Sequence, residues 1–142
     1  MALFQDIAQA NIQALKDHDK VARSIYTIVY GKFKNESIDK GLNAKELPDE
    51  DCLRIIQKTI KELEEERDLF LKANRMENAN ELSTQIDILK TYLPKQLSSD
   101  EIRNEISKLE DKKIPSVMKH FKTNFAGQVD MSLVSKIAKE FN

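Results

Sequence analysis

Apolar residues recur at Phe4, Ile7, Ala8, Ile12 and Leu15, the three- and four-residue spacing of one helical stripe. The run "DHDK" interrupts it, and a second stripe follows at Val21, Ala22, Ile25, Val29 and Phe33, ending near Gly41. Glycine accepts the left-handed conformation that often follows a helix, so these two helices can pair across a short connection. "NAKELPDED" then reads as a loop and a helix start. Pro48 supplies a fixed φ suited to a first turn, and Asp49, Glu50 and Asp51 complement the positive end of the helix dipole. The helix expected from about Pro48 to Ala73 carries a buried stripe of Leu53, Ile56, Ile60, Leu63 and Phe70, with "KELEEERD" on its exposed side. Asn74 in "KANRME" is the candidate left-handed residue after it. Leu82, Ile86, Leu89 and Leu93 next repeat at intervals of four, three and four, which predicts the second arm of a long antiparallel hairpin.

"TYLPKQLSSDE" is a joint. Pro94 disfavours the helical region for Leu93, so the arm should end there, while Ser98 with Glu101 three residues later forms the S-x-x-E signature of a capping box. Three short stripes follow: Ile102, Ile106, Leu109; then Val117, Met118, Phe121, Phe125; then Leu133, Val134, Ile137, Phe141. Pro115 suits the first turn of the middle helix, Gly127 its end, and Asp130 can cap the last. The expectation is an all-α chain: an N-terminal helical domain with a long hairpin over residues 1–93, a linker at 94–97, and a three-helix domain over 98–142. Tyr92, Leu93, Pro94 and Leu97 form the expected interdomain joint, too apolar for a flexible tether.

Composition supports helices. Of 142 residues, 33% are charged and only three are Gly and three Pro, which leaves little material for strands and tight turns. The single cysteine, Cys52, excludes an internal disulfide and fits a reducing compartment, read here as the cytoplasm. No window approaches the apolar run of a membrane span, and the N-terminus lacks the unbroken apolar core of a signal peptide. The formal net charge of −1 conceals an asymmetry: residues 112–142 hold six lysines against Asp130 and Glu140, a balance of +4 that leaves the rest at −5.

"ERDLFLKANR" (66–75), "ILKTYLPKQLSSDEI" (88–102) and "SVMKHFKTNFAGQVDMSLVSKIAKEF" (116–141) resemble the YqeY-like family, related to the tail domain of the B subunit of the glutamine-dependent tRNA amidotransferase. The likeness is most specific at Arg67, Phe70, Arg75 and the run Tyr92, Leu93, Pro94, Gln96, Leu97. It implies an all-α fold ending in a small three-helix domain. It also implies a tRNA-contacting appendage, the amidotransferase chemistry residing in other domains and subunits. The chain departs from the family's G-[KR]-x-D-G turn, reading "GQVDM" with Gln128 and Met131 in place of a cation and a glycine. Thr27 and Tyr30 also stand where basic residues are usual.

No constellation for catalysis is evident. Cys52 has no paired base, and its acidic neighbours oppose a thiolate, so a structural thiol is the reading. The two histidines, His18 and His120, show no metal-binding spacing; His120 is read as part of a basic surface. No phosphate-cradling glycine loop is present, and no cofactor is expected. RNA contact would use Lys119, Lys122, Lys136 and Lys139, with Lys112 and Lys113 nearby. Within each of the first two pairs the spacing of three places both lysines on one helix face. The favoured role is a non-catalytic accessory contacting tRNA or a tRNA-processing complex; the alternative is a protein-interaction module working through the hairpin. Membrane-surface binding through residues 1–16 is disfavoured by the near absence of lysine on its polar face.

Overall fold

The computed structural model describes residues 2–43 and 47–142, so three residues of the expected loop "NAKELPDED", numbers 44–46, lie outside the described residues. All regular structure among them is helical: α1 Leu3–Lys16, α2 Lys20–Asp39, α3 Asp49–Lys72, α4 Met76–Lys90, α5 Ser99–Ser107, α6 Ile114–Asn124 and α7 Met131–Ala138, with a 3₁₀ turn at Lys139–Phe141. No described helix is long and apolar enough to cross a membrane. The chain divides into two compact units, Met1–Tyr92 and Leu93–Asn142.

In the first unit, three helix ends share one geometry. His18, Gly41 and Asn74 all have positive φ, at 57°, 68° and 57°. At each, the next residue's N–H reaches back to an orphan carbonyl: Asp19 to Ala14, Leu42 to Ser37 and Arg75 to Phe70, at 3.0, 2.8 and 2.9 Å. These are Schellman ends, which satisfy terminal carbonyls and reverse the chain. α1 and α2, and then α3 and α4, therefore form two hairpins. Asp19 caps α2 by accepting from the Ala22 N–H, whereas α1 has no local side-chain cap and takes one from Asp49, which accepts the Leu3 N–H at 2.9 Å.

Polar contacts fix how the hairpins align. Lys40 with Asp51, Arg54 with Glu36, and Lys32 with Glu62 link α2 to α3 at 2.9, 3.0 and 2.8 Å in antiparallel order. Gln85 donates to the Val21 carbonyl at 3.0 Å, and the Tyr26 and Tyr92 hydroxyls meet at 2.8 Å, so α4 runs parallel to α2. Between them Phe4 packs on Tyr30 and Phe33, with ring centroids 5.4 and 5.9 Å apart. Ile7, Ile25, Val29, Ile56, Ile86 and Leu89 are fully enclosed around them.

The register of α1 differs from the expected stripe. Ile12 and Leu15 are 48% and 56% exposed, and Leu3 and Ala14 are buried instead. A small residue at position 14 can sit closer to α2 than Leu15 could, and Leu3 is drawn in with the Asp49 cap. Phe70, expected in the buried stripe of α3, is half-buried, and α4 ends at Lys90, three residues before Leu93. There the chain turns and carries Tyr92 to Tyr26.

The second unit has its own core of Ile102, Ile106, Val117, Phe121, Val129, Val134, Ile137 and Ala138, against which Leu97, Leu109, Met118 and Phe125 pack. Ser98 caps α5 in a complete capping box: its hydroxyl accepts the Glu101 N–H at 3.2 Å, and the Glu101 carboxylate accepts the Ser98 N–H at 3.0 Å. The stretch before it is tied to this unit. The Leu97 N–H donates to the Gln128 carbonyl at 2.8 Å, and Gln96 donates to the Gly127 carbonyl at 2.6 Å. Phe141, expected in the last stripe, is 36% exposed because the 3₁₀ turn rotates it off the α7 seam.

Candidate nucleic-acid interface

The cationic surface of the second unit follows from which side each helix buries. On α6, Val117 and Phe121 face the core, and Lys119 and Lys122 are exposed. On α7, burial of Val134, Ile137 and Ala138 turns Lys136 outward, and Lys139 in the following turn is exposed as well. Both acids of the 112–142 segment are occupied elsewhere. Glu140 forms a two-point pair with Arg103 at 2.9 and 3.2 Å, and Asp130 caps α7 by accepting the Ser132 N–H at 2.9 Å. The Arg103 guanidinium holds the Glu140 carboxyl below its usual range, so it stays ionised and engaged. Among the described residues, Lys119, Lys122, Lys136 and Lys139 make no ion pair, which leaves their charge facing solvent.

Lys112 and Lys113 differ from those four. The Lys112 ammonium is half-buried and donates to the Leu109 carbonyl at 2.5 Å, while its own carbonyl accepts from Asn142 at 2.7 Å. Its ammonium closes the α5–α6 loop on itself, and its backbone carbonyl ties that loop to the C-terminal residue. Lys113 is exposed as the N-cap residue of α6, and its N–H donates to Asp111 at 3.0 Å.

Along the flank of α6 beside Lys119, an open groove of about 400 Å³ runs between the helix and residues 109–111. Ser116, Lys119, His120, Thr123 and Asn124 of α6 line it, together with Leu109, Glu110 and Asp111. His120 is locked rather than loosely exposed on a basic surface. One ring nitrogen, Nε2, lies 3.0 Å from Glu105 Oε1, and the other, Nδ1, lies 3.2 Å from the Asn124 amide nitrogen. That amide also donates to the His120 carbonyl at 3.1 Å, which assigns Nδ1 as acceptor and Nε2–H as donor to Glu105. Asp111 is held too: Ser116 donates to it at 2.6 Å, and together with the Lys113 N–H keeps its carboxyl below the usual range. The sequence pattern marks the lysines but not the acids that line the same depression.

The 127–131 turn is built into the second unit through its backbone and core contacts. Gln128 offers its carbonyl to Leu97, Val129 is buried, and Met131 packs on the core. Tyr30 is used by Phe4, with the Lys34 ammonium 5.6 Å above its ring. Thr27 is exposed and meets Asn11 at 3.4 Å.

Of the expected joint residues, Tyr92 belongs to the first unit through Tyr26, and Leu97 to the second through its core; Leu93 and Pro94 are half-buried. Burial and the Tyr26 hydroxyl raise the Tyr92 phenol well above its usual value, so it remains a neutral hydrogen-bonding group. Cys52 is fully buried; burial first, then Asp49 and Asp51, push its thiol up to about 12. A thiol in that environment is not a nucleophile at neutral pH. No three His, Cys, Asp or Glu side chains are grouped to hold a metal among the described residues.

A feature missed in the sequence lies at the tip of the α3–α4 hairpin. Leu69, Leu71 and Met76 are 67%, 41% and 54% exposed, within the stretch that holds Arg67 and Arg75. The spacing of apolar residues suggests burial as far as Phe70, but α3 has no buried residue after Leu63.

A family model described as Yqey-like protein matches residues 4–141, nearly the whole chain. No curated protein matches the sequence.

Proposed function

The chain belongs to the Yqey-like family, and on that premise we propose that it is a non-catalytic accessory that contacts tRNA or a tRNA-processing complex through its second unit. The observation that carries this reading is the set Lys119, Lys122, Lys136 and Lys139, exposed while both acids of their segment are engaged by Arg103 and the α7 cap. Lysine attracts phosphate as a point charge without reading base edges, so the binding would be led by shape and weakened by salt. A cytoplasmic setting accords with a buried, unpaired cysteine.

Fluorescence anisotropy with labelled bulk tRNA at low and near-physiological salt tests it. The expected result is binding that survives near-physiological salt and outcompetes an equal mass of duplex DNA. Replacing the four lysines by glutamine should flatten the logarithmic salt dependence by about 0.7 to 0.9 for each phosphate no longer neutralised. Absence of binding at low salt, where nonspecific attraction is strongest, overturns the reading.

The exposed Leu69, Leu71 and Met76 support a second reading, a protein partner docked at the hairpin tip. Such a complex would tolerate salt and be abolished by Leu69→Ser or Met76→Ser, while the lysine variants would leave it intact.

A further inference from the structure

The outward side of α2 breaks the pattern of the rest of the first unit. α1 meets this helix at Arg23, Thr27 and Tyr30, α4 at Tyr26, and α3 at Lys32, Glu36 and Lys40. The side left over carries Val21, Ser24, Ile28, Gly31, Asn35 and Ile38, whose alternating steps of three and four are the interval of a coiled-coil seam. Ile28 and Ile38 are 47% and 70% exposed, Ser24 and Asn35 are exposed, and Val21 and Gly31 are half-buried. None of these residues is charged, in a chain where 33% are. A helix face meant for water alone carries charged and polar side chains instead.

Gly31 adds a second observation. Glycine inside a helix is destabilising relative to alanine, and a Cβ at this position would meet nothing within 4 Å. Packing within one chain therefore has no use for the missing side chain. A gap on an exposed apolar seam is of use to a neighbour that fills it.

The seam matches itself. Turned end for end against a second copy, it sets Val21 against Ile38, Ser24 against Asn35 and Ile28 against Gly31, each contact occurring twice about a two-fold axis. Apolar meets apolar, a hydroxyl meets an amide that can hydrogen-bond with it, and the isoleucine side chain enters the space beside the glycine. The same register sets Lys20 against Asp39, both exposed and without an ion pair among the described residues. A parallel pairing would instead stack Lys20 on Lys20 and Asp39 on Asp39, and leave two glycines facing each other. α2 is already folded on its own unit, so docking does not have to form the helix.

We propose that the chain forms an antiparallel homodimer through this face of α2, with Ile28 of each copy seated over Gly31 of the other. One helix pair makes a small contact, so the dimer dissociates on dilution.

Sedimentation equilibrium of the full chain, from micromolar to near-millimolar concentration, tests it. The average mass should climb from 16.4 kDa toward twice that value. Ile28→Glu, which puts a charge into the contact and lies outside the core, should hold the mass at the monomer value with an unchanged circular dichroism spectrum. Gly31→Leu should act in opposite directions on fold and contact: the monomer's denaturation midpoint rises, because leucine favours the helix, and dimerisation weakens about tenfold, because the space Ile28 needs is filled. Ser24→Cys chains mixed with Asn35→Cys chains should oxidise to a covalent dimer while neither kind alone does so, Cys52 being buried. A monomer mass at every concentration overturns the dimer. A dimer that survives Ile28→Glu overturns the seam, and crosslinking of either cysteine variant with itself overturns the antiparallel arrangement.

Discussion

Replacing Phe121 by alanine should unfold the second unit. The ring is fully buried, lies 5.4 Å from Phe125 and meets the His120 ring edge-on at 5.5 Å. Truncating a buried phenylalanine costs about 3–5 kcal/mol, combining the forfeited transfer energy with the cavity left behind. Leu93–Asn142 spans 50 residues, and at about 0.05–0.15 kcal/mol per residue such a unit has roughly 2.5–7.5 kcal/mol to lose. The cost and the reserve are therefore of the same size, and the unfolded form should become a major species. Phe121→Leu keeps most of the apolar volume and should cost no more than about 1.5 kcal/mol, so it serves as the folded control. Two-dimensional amide NMR reports the result residue by residue: resonances of α5, α6 and α7 should collapse toward random-coil positions in the alanine variant. Urea titration gives the energy. If the alanine variant keeps dispersed resonances and its midpoint shift corresponds to less than about 1 kcal/mol, the core assignment is wrong.

Three further outcomes follow from the geometry. His18→Gly removes a side chain from a left-handed position at φ 57° and should raise stability by about 0.5 kcal/mol after the glycine's larger unfolded-state entropy is subtracted; a lower denaturation midpoint would contradict the Schellman end at α1. The carboxyls of Glu101, Asp111 and Glu140 are held low by the Ser98 N–H, the Ser116 hydroxyl and Arg103. Their folded values lie below their unfolded ones, so their contribution is complete above about pH 4.5 and is lost as pH falls through the depressed values. Urea midpoints of the second unit should decline between about pH 5 and pH 3 for that reason, and a flat profile would refute it. Cys52 should resist thiol reagents in the native protein at about pH 8 and react promptly in urea, because its thiol is buried and pushed up to about 12; fast native labelling would place it at the surface.

What can be read in advance is what local chemistry decides. Ser98 and Glu101 are three apart in sequence, and both capping-box bonds are present; Gly41, Asn74 and Gly127 are the residue types that tolerate positive φ, and all three adopt it. Asp130 caps α7 as its position implies. The misreadings come from interactions between distant residues. The face α1 buries carries Leu3, whose N–H is held by the distant Asp49, and Ala14, and neither is visible in the spacing of Ile12 and Leu15. His18 takes a left-handed conformation that its residue type does not announce. In the candidate site, exposure of Lys119, Lys122, Lys136 and Lys139 is legible because they fall between apolar positions on short helices. The different use of Lys112 and the placing of Glu110 and Asp111 beside α6 depend on the path of the 109–113 loop.

The Schellman ends at His18 and Asn74 also bear on how quickly the first unit can assemble. Each reverses the chain within a few residues, so α1 meets α2 and α3 meets α4 with little loop to close. Proteins dominated by contacts between sequence neighbours cross their folding barriers fastest. The slower events are those that span distance: the Asp49 carboxylate must find the Leu3 N–H across 46 residues, Gln85 the Val21 carbonyl across 64, and Tyr92 the Tyr26 hydroxyl across 66. Two preformed hairpins diffusing together would complete all three searches at once, which makes their docking the rate-limiting encounter. Substitutions at Asp49, Gln85 or Tyr92 would then slow folding more than they speed unfolding.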